Sequence, residues 1–333
     1  MMTLNQLRGG VYKEKGLVGI EIETESLRPY DYPNLKYWTC HEDRSLRNYG
    51  VEYVLSHPLN PDGKAYIEAM TEFEALAKTT KFIDSQYAGL HVHINMSNVS
   101  LVHLMNFISL YCIFEKTLTK YCGPDRDGNL FCLKTSDAET SFYNYVALTE
   151  AIEDGTGNSF IQRLSADRLK YSGLNIVPLR HLGSVEVRTH YGTTDRAVIE
   201  RWVRILMAIY NQAGALKSPV EVVNLFRDNY ASIIAKRIFG DDAKHLPLEN
   251  IEAEVAECLY YAVGVANASK DWSKFGSKKP EGRYNKFNKQ DLDLRQLTEI
   301  YHNQVALFRD AGLGPDMVRR YDTGADFIIN EDT

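Results

Sequence analysis

The 333-residue chain predicts an α+β fold. Two observations carry this expectation. Segments with strand-like alternation lie before residue 190, and helical periodicity dominates after it; that segregated order is the mark of α+β rather than of repeating βαβ units. Four of the strand segments also share one signature, with polar, metal-grade side chains on one face and apolar ones on the other. They are Val18-Gly19-Ile20-Glu21-Ile22-Glu23-Thr24, Val51-Glu52-Tyr53-Val54-Leu55, Leu90-His91-Val92-His93-Ile94-Asn95 and Val185-Glu186-Val187-Arg188. Successive strand residues point to opposite faces, so Ile20 and Ile22 look one way while Glu21 and Glu23 look the other. Val92 is likewise set against His91 and His93, and Val187 against Glu186 and Arg188. The second segment fits least well, because Glu52 shares its face with Val54. A sheet with an apolar back and a front of carboxylates and imidazoles suits divalent cations and phosphates.

The elements follow in order. Residues 17–24 read as a strand. Residues 28–40, rich in Pro, Tyr and Asn, read as a loop, and Asp43-Arg44-Ser45 lies between that loop and the strand at 51–56. Pro58 and the Asn60-Pro61-Asp62-Gly63 cluster end this strand. Tyr66, Ala69, Met70, Phe73 and Leu76 follow helical spacing and predict a helix from Ala65 to Lys78. Residues 90–95 form the third polar-faced strand. Ser100 suits the N-cap of a long helix running to about Lys120, which Leu101, Leu104, Met105, Ile108, Tyr111, Cys112 and Leu118 turn toward the core. Residues 123–144 are Gly/Pro/Asp/Ser-rich and read as a loop that covers a site or runs over the surface. Two more strands are expected, one centred on Leu174-Asn175-Ile176 and one at 184–190, with a turn at His181–Gly183. Asp195 is placed to cap a helix through Leu216 whose stripe is Ile199, Trp202, Val203, Leu206 and Ile209. Beyond Ser218 the pattern is helical, at 219–238, 248–268 and 291–311. Trp272 to Lys289 lacks periodicity and reads as a mobile loop. The expected organisation is a catalytic domain over 1–217 and a helical extension over 218–333, packed on that core.

Composition narrows the class. The chain is 44% hydrophobic and 25% charged, as globular proteins are. A net charge of −6 argues against a general nucleic-acid binder, and the Lys/aromatic run at 272–289 reads as a surface loop or lid rather than a stacking groove for single strands. No window approaches the roughly 20 apolar residues of a membrane helix, and Met1 to Gly10 lacks the apolar core of a signal peptide. Five cysteines at irregular spacing, without a CxxC pair, read as reduced thiols. The expected location is the cytoplasm.

Together these residues carry a resemblance. Gly19-Ile20-Glu21-Ile22-Glu23, Gly50-Val51-Glu52, Gly89-Leu90-His91-Val92-His93-Ile94-Asn95-Met96-Ser97 and Ser184-Val185-Glu186-Val187-Arg188 resemble the successive motifs of carboxylate–amine ligases with a glutamine synthetase-type sheet. The match is to the amidoligase family found in phages, bacteria and fungi. Asp167-Arg168-Leu169-Lys170-Tyr171-Ser172-Gly173-Leu174-Asn175 and Gly192-Thr193 have that family's look as well. The likeness covers roughly 15–215. It implies a curved, mainly antiparallel sheet with helices on one face, and it implies ATP and Mg²⁺ (or Mn²⁺) as cofactors. The reaction it implies passes through an acyl phosphate that an amine attacks, with small-molecule or peptide carboxylates and amines as partners. Ring-forming oligomers occur among glutamine synthetases, so an oligomer is compatible with the likeness.

The resemblance also implies roles. Glu21 would share one ion with His91 and Glu186, and Glu23 would share another with Glu52; Glu21 and Glu23 stand about 7 Å apart along a strand, enough for each to face a different ion. His93 would contact ATP phosphate, and Arg188 would neutralise the transferring phosphoryl group with its guanidinium fork. Asp43 and Ser45 match an Asp-x-Ser step, with Arg44 where the family has glycine. Arg126 and Lys170 are candidate nucleotide or substrate contacts, and Asn175 a candidate for orienting substrate.

Each feature alone has a plainer reading. A single Glu-x-Glu on a strand is ordinarily a solvated face, a Val-His alternation an exposed histidine, and a Glu-x-Arg a surface ion pair. Their co-occurrence in family order, each with an apolar back, turns the balance toward one metal–phosphate site. Two other functions use the same residues: a metal-dependent phosphohydrolase or kinase, and a catalytically silent binding protein. The carboxylate donor and the amine are not legible.

Overall fold

A computed structural model describes residues 2–27, 29, 33–83, 85–165, 169, 171–227 and 229–275. Lys170, the expected helix at 291–311 and most of the 272–289 segment lie outside these residues. The strands are β1 (Val18–Ser26), β2 (Trp38–Glu42), β3 (Val51–Leu55), β4 (Phe82–Ile83), β5 (Gly89–Asn95), β6 (Leu174–Asn175) and β7 (Ser184–Tyr191). They form a sheet in the order β2-β3-β1-β5-β7-β6, with β4 pairing the end of β1. Every one of these pairings is antiparallel. The sheet is open, with β2 and β6 at its edges.

Alternation decides the two faces. Ile20, Ile22, Leu90, Val92, Val185 and Val187 are fully buried on the back. Three helices cover that back. The first, α2 (Lys64–Thr79), follows the short α1 (Leu4–Leu7). It buries Tyr66, Ala69, Met70 and Phe73, and Phe73 meets Trp38 at 5.1 Å and Tyr53 at 5.5 Å between ring centroids. The second, α3 (Leu101–Tyr121), is capped by Ser100, whose hydroxyl accepts from the His103 amide at 3.1 Å. Between α3 and the next covering helix lie α4 (Glu139–Glu153) and α5 (Gly157–Gln162). That next helix, α6 (Arg196–Ala215), begins at Asp195, whose carboxylate accepts from the amides of Ala197 and Val198, two donors with no partner inside the helix. Asn106 of α3 donates to the carbonyls of Ala213 and Leu216 at 3.0 and 2.8 Å, tying α3 to α6.

The helices α7 (Pro219–Arg227), α8 (Ala231–Phe239) and α9 (Ile251–Asn267) follow. They pack on the far side of α3, where Phe114 meets Phe226 at 5.5 Å and Phe239 at 5.1 Å. Helix α3 is therefore buried nearly all round, as expected for a helix between two layers. Among the described residues no helix is long and apolar enough to cross a membrane.

Four local expectations are corrected. The end of the 28–40 segment is strand, not loop: Trp38 opens β2, and its indole donates to the Ala69 carbonyl at 2.9 Å. A five-residue edge strand with exposed Thr39, His41 and Glu42 offers only one apolar anchor to sequence reading. The polar segment 123–144 ends in the first turns of α4, whose buried stripe is Phe142, Tyr145, Leu148 and Ile152. The helix expected over 219–238 is two, because the Asn229 side chain donates to the Leu225 carbonyl at 2.9 Å and Tyr230 is extended. The helix expected from 248 starts at Ile251.

Candidate active site on the polar face of the sheet

Register brings the front residues together. Glu21 lies opposite His91 and Glu23 opposite Glu52, while His93 lies opposite Glu186. These three pairs sit on adjacent strands, within reach of one another. His91 Nδ1 is 3.3 Å from Glu21 Oε2 and 3.5 Å from Glu186 Oε1, and its Nε2 is 3.6 Å from Glu23 Oε1. Ligand atoms of Glu21, His91 and Glu186 lie within 4.8 Å of one another, as do those of Glu23, Glu52 and His91. His91 thus stands between two carboxylate groups, one on each ring nitrogen.

The other front residues tie into this set. His93 Nε2 is 3.0 Å from Glu21 Oε1, off the line of a hydrogen bond, and its Nδ1 is 3.1 Å from the Ser184 hydroxyl. Arg188 donates from Nη1 to Glu186 Oε1 at 2.5 Å, and its buried Nε has no partner among the described residues. Asn175 donates to Glu186 Oε2 at 2.6 Å and accepts from the Val177 amide at 2.9 Å. Its contact is therefore with a site carboxylate. Gly89 donates its amide to Glu23 Oε2 at 2.6 Å; a Cβ there would lie 2.6 Å from His91 Nε2, so only glycine fits beside the two groups.

Asp43 follows β2 and accepts the Ser45 amide at 2.8 Å, with the Ser45 hydroxyl at an exposed position. It is near enough to Glu23 and Glu52 to act on both electrostatically. Arg126, a candidate nucleotide or substrate contact, borders the cavity next to Glu23. Its side chain is buried, and its guanidinium donates to the carbonyls of Thr189 at 2.8 Å and Arg188 at 2.9 Å. Ser184, the Asn175–Glu186 bond and the Gly89 amide are parts of the site that alternation did not single out. Gly89 opens β5, and like Ser184 it stood in a motif that carried the family resemblance.

The electrostatics divide the carboxylates. Burial pushes Glu21 up, but the hydrogen bond with His91 and the close His93 imidazole outweigh it and hold the carboxyl well below its usual range. Burial likewise raises Glu186, and the charges of Arg188, His93 and His91 together more than offset it. Burial pulls the His93 imidazole down, and the Glu21 carboxylate beside it leaves it raised. Glu23 is raised by burial. Glu52 is pushed to about 8 by burial and by the negative charges of Glu21, Glu23 and Asp43. Carboxylates crowded this way repel one another unless cations lie between them.

Beyond Glu23 the face opens into a cavity of about 830 Å³, a size that holds a small-molecule ligand. Arg47, stacked on Tyr87 at 4.1 Å from the ring centroid, lines it together with Asn48, Phe82, Tyr191 and Asp195.

A family model described as "Putative amidoligase enzyme" matches residues 31–210, more than half of the chain. The match contains Glu52, His91, His93, Glu186 and Arg188, and it begins after Glu21 and Glu23. No curated protein matches the chain. The chain belongs to this amidoligase family of ligase-type enzymes.

Proposed function

From that family membership, we propose that the protein is an ATP- and Mg²⁺-dependent (or Mn²⁺-dependent) ligase that joins a carboxylate to an amine through an acyl phosphate. The observation that supports this best is the gathering of Glu21, Glu23, Glu52, His91 and Glu186 around one imidazole, with Arg188 at the same place. Oxygen-rich donors with one histidine fit hard divalent cations. Glu21, His91 and Glu186 would hold one ion, and Glu23 and Glu52, with the other side of His91, a second. Such ions, when bound, neutralise phosphate oxygens and orient the triphosphate.

The chain's own residues then have the following tasks. Arg188 meets the terminal phosphoryl group with the Nε that has no partner among the described residues, and His93 lies near it. Asn175 fixes the rotamer of Glu186. Asp43 lies at the Glu23–Glu52 end, where it acts on the substrate rather than the triphosphate. Lys170 remains a candidate nucleotide contact on the motif alone. The γ-phosphoryl group passes to a carboxylate oxygen and ADP leaves. The amine nitrogen then bonds to the carbonyl carbon, the carbon–oxygen bond to phosphate breaks, and phosphate and a proton depart. The substrate cavity is the one beyond Glu23, which is open on its outer side to a partner of unknown length. A glutamine synthetase-type relationship of the sheet belongs to this proposal; motif order and the residue types on one face support it.

The test is incubation with ATP, Mg²⁺, hydroxylamine and a pool of amino acids and peptides. ADP and a hydroxamate of the donor acid are expected, because hydroxylamine intercepts an acyl phosphate. AMP and pyrophosphate would exclude the route. ADP release that needs no acid and gives no hydroxamate would mean a phosphohydrolase.

A further inference from the structure

The pairing of β5 with β7 contains one irregularity. Leu90 lies opposite His190, but Val92 lies opposite Val187, so Arg188 and Thr189 together face His91. This is a bulge, and bulges re-aim side chains. Here Arg188 keeps the polar front that it shares with Glu186, while Thr189 and His190 both fall on the back, Thr189 against Tyr111 of α3 and His190 5.3 Å from the Trp202 ring.

The bulge is held by buried polar groups. Arg126, in the turn after α3, donates to both bulge carbonyls. The Tyr111 hydroxyl of α3 lies 2.6 Å from the Thr189 hydroxyl, with both residues buried. The Arg188 amide donates to the Gly173 carbonyl at 2.8 Å. A Cβ on Gly173 would come within 3.1 Å of Thr189 Oγ1 and 3.3 Å of Tyr111 Oη, so the strand next to the bulge presses on the same cluster.

A buried guanidinium and a buried hydroxyl pair are costly to desolvate. A regular strand would not need them. Without them the bulge can slip by one residue, and a one-residue slip turns a side chain to the other face. We infer that Arg126 and Tyr111 are positioning residues: through the bulge carbonyls and Thr189 they fix where Arg188 presents its guanidinium to a phosphoryl group. The inference rests on the proposed ligase reading for what Arg188 meets, and on geometry alone for how it is aimed.

Two variants keep the fold testable. Tyr111→Phe removes one hydroxyl without changing shape, and Arg126→Lys keeps the charge but cannot reach both carbonyls with a fork. One readout is the ¹⁵N Nε–H resonance of Arg188 in the intact protein, identified by its loss in Arg188→Lys. A second is ADP release in the hydroxylamine assay. The expected result is a shifted or broadened Arg188 resonance in both variants, with kcat lowered about 10- to 100-fold and the ATP KM changed less than about threefold. An unmoved resonance, with only a lower melting temperature, overturns the inference whatever the turnover. A KM that rises as kcat holds also overturns it, because Arg126 would then be a binding contact. If the resonance moves but the wild type releases no ADP with any acid, the positioning stands and the ligase reading fails.

Discussion

The two faces of the sheet use the same strands for opposite ends. On the back, Ile20, Ile22, Leu90, Val92 and Val187 are sealed under α2, α3 and α6. On the front, residues one position away crowd four carboxylates and two imidazoles around one arginine. The back gains from burial at roughly 25 cal/mol per Å² of apolar surface. The front gains little from folding, since charges taken from water are offset only where partners meet them. A change on the front should therefore remove function and spare the fold, and a change on the back should do the reverse.

The largest separation is expected from Glu21→Gln. It keeps the shape of the side chain and leaves Ile20 and Ile22 in place. Metal-dependent ATP turnover should fall by at least about 10²-fold, while the melting temperature stays within a few degrees. Calorimetry alongside an ADP assay checks both. Turnover that survives would remove Glu21 from the site.

The mirror experiment is Leu90→Ala, next to His91 but facing the back, where Leu90 is fully buried. A loss of about 2–5 kcal/mol is expected from the cavity left behind, read by urea denaturation, with divalent-cation affinity of the remaining folded protein little changed. A large loss of cation affinity at unchanged stability would mean that the two faces are not separable in this way.

Glu115 sharpens the contrast. It is a buried acid on α3, behind the sheet, that accepts the Thr135 amide at 2.8 Å and whose Oε1 has no partner among the described residues. Burial raises it to about 7; the Asp137 charge adds to the rise, and the Thr135 bonds and the Lys134 charge only partly offset it. Glu21, only half-buried and set between two histidines, is held low. The folded state therefore keeps a proton on Glu115 that the unfolded chain releases above its ordinary value of 4.5. This contribution to stability is intact below that value and is lost as pH rises toward about 7. Glu115→Gln should flatten that slope and stabilise the protein at pH 8 by on the order of 3 kcal/mol. Denaturation at pH 5 and pH 8 checks it, and a slope unchanged in the variant would assign the pH dependence elsewhere.

How much of this was legible follows from where each feature is encoded. The alternation of Ile20-Glu21-Ile22-Glu23 and of His91-Val92-His93 is a two-residue pattern, so faces could be read along each strand without its neighbours. The capping of α3 by Ser100 and of α6 by Asp195 is equally local. The bulge at Arg188–Thr189 was not legible, because a register shift exists only between two strands. Arg126 shows the same limit: in a polar segment nothing nearby tells whether a guanidinium turns out to a phosphate or in to two carbonyls. Helix α4 was hidden because its first turns are written in Glu, Thr and Ser, residues that also make loops. Strand β2 was hidden because its pairing with β3 is what makes it a strand.

The claim on which the account turns is that the front face holds two divalent cations through two carboxylate sets joined by His91. Titration of the protein with Mn²⁺ alone, followed by electron paramagnetic resonance, tests it without a substrate. Two bound ions per chain are predicted for the wild type, one for Glu186→Gln and one for Glu52→Gln, and none at comparable affinity for His91→Ala. Binding unchanged across these variants, or no Mn²⁺ bound by the folded wild type, would contradict it.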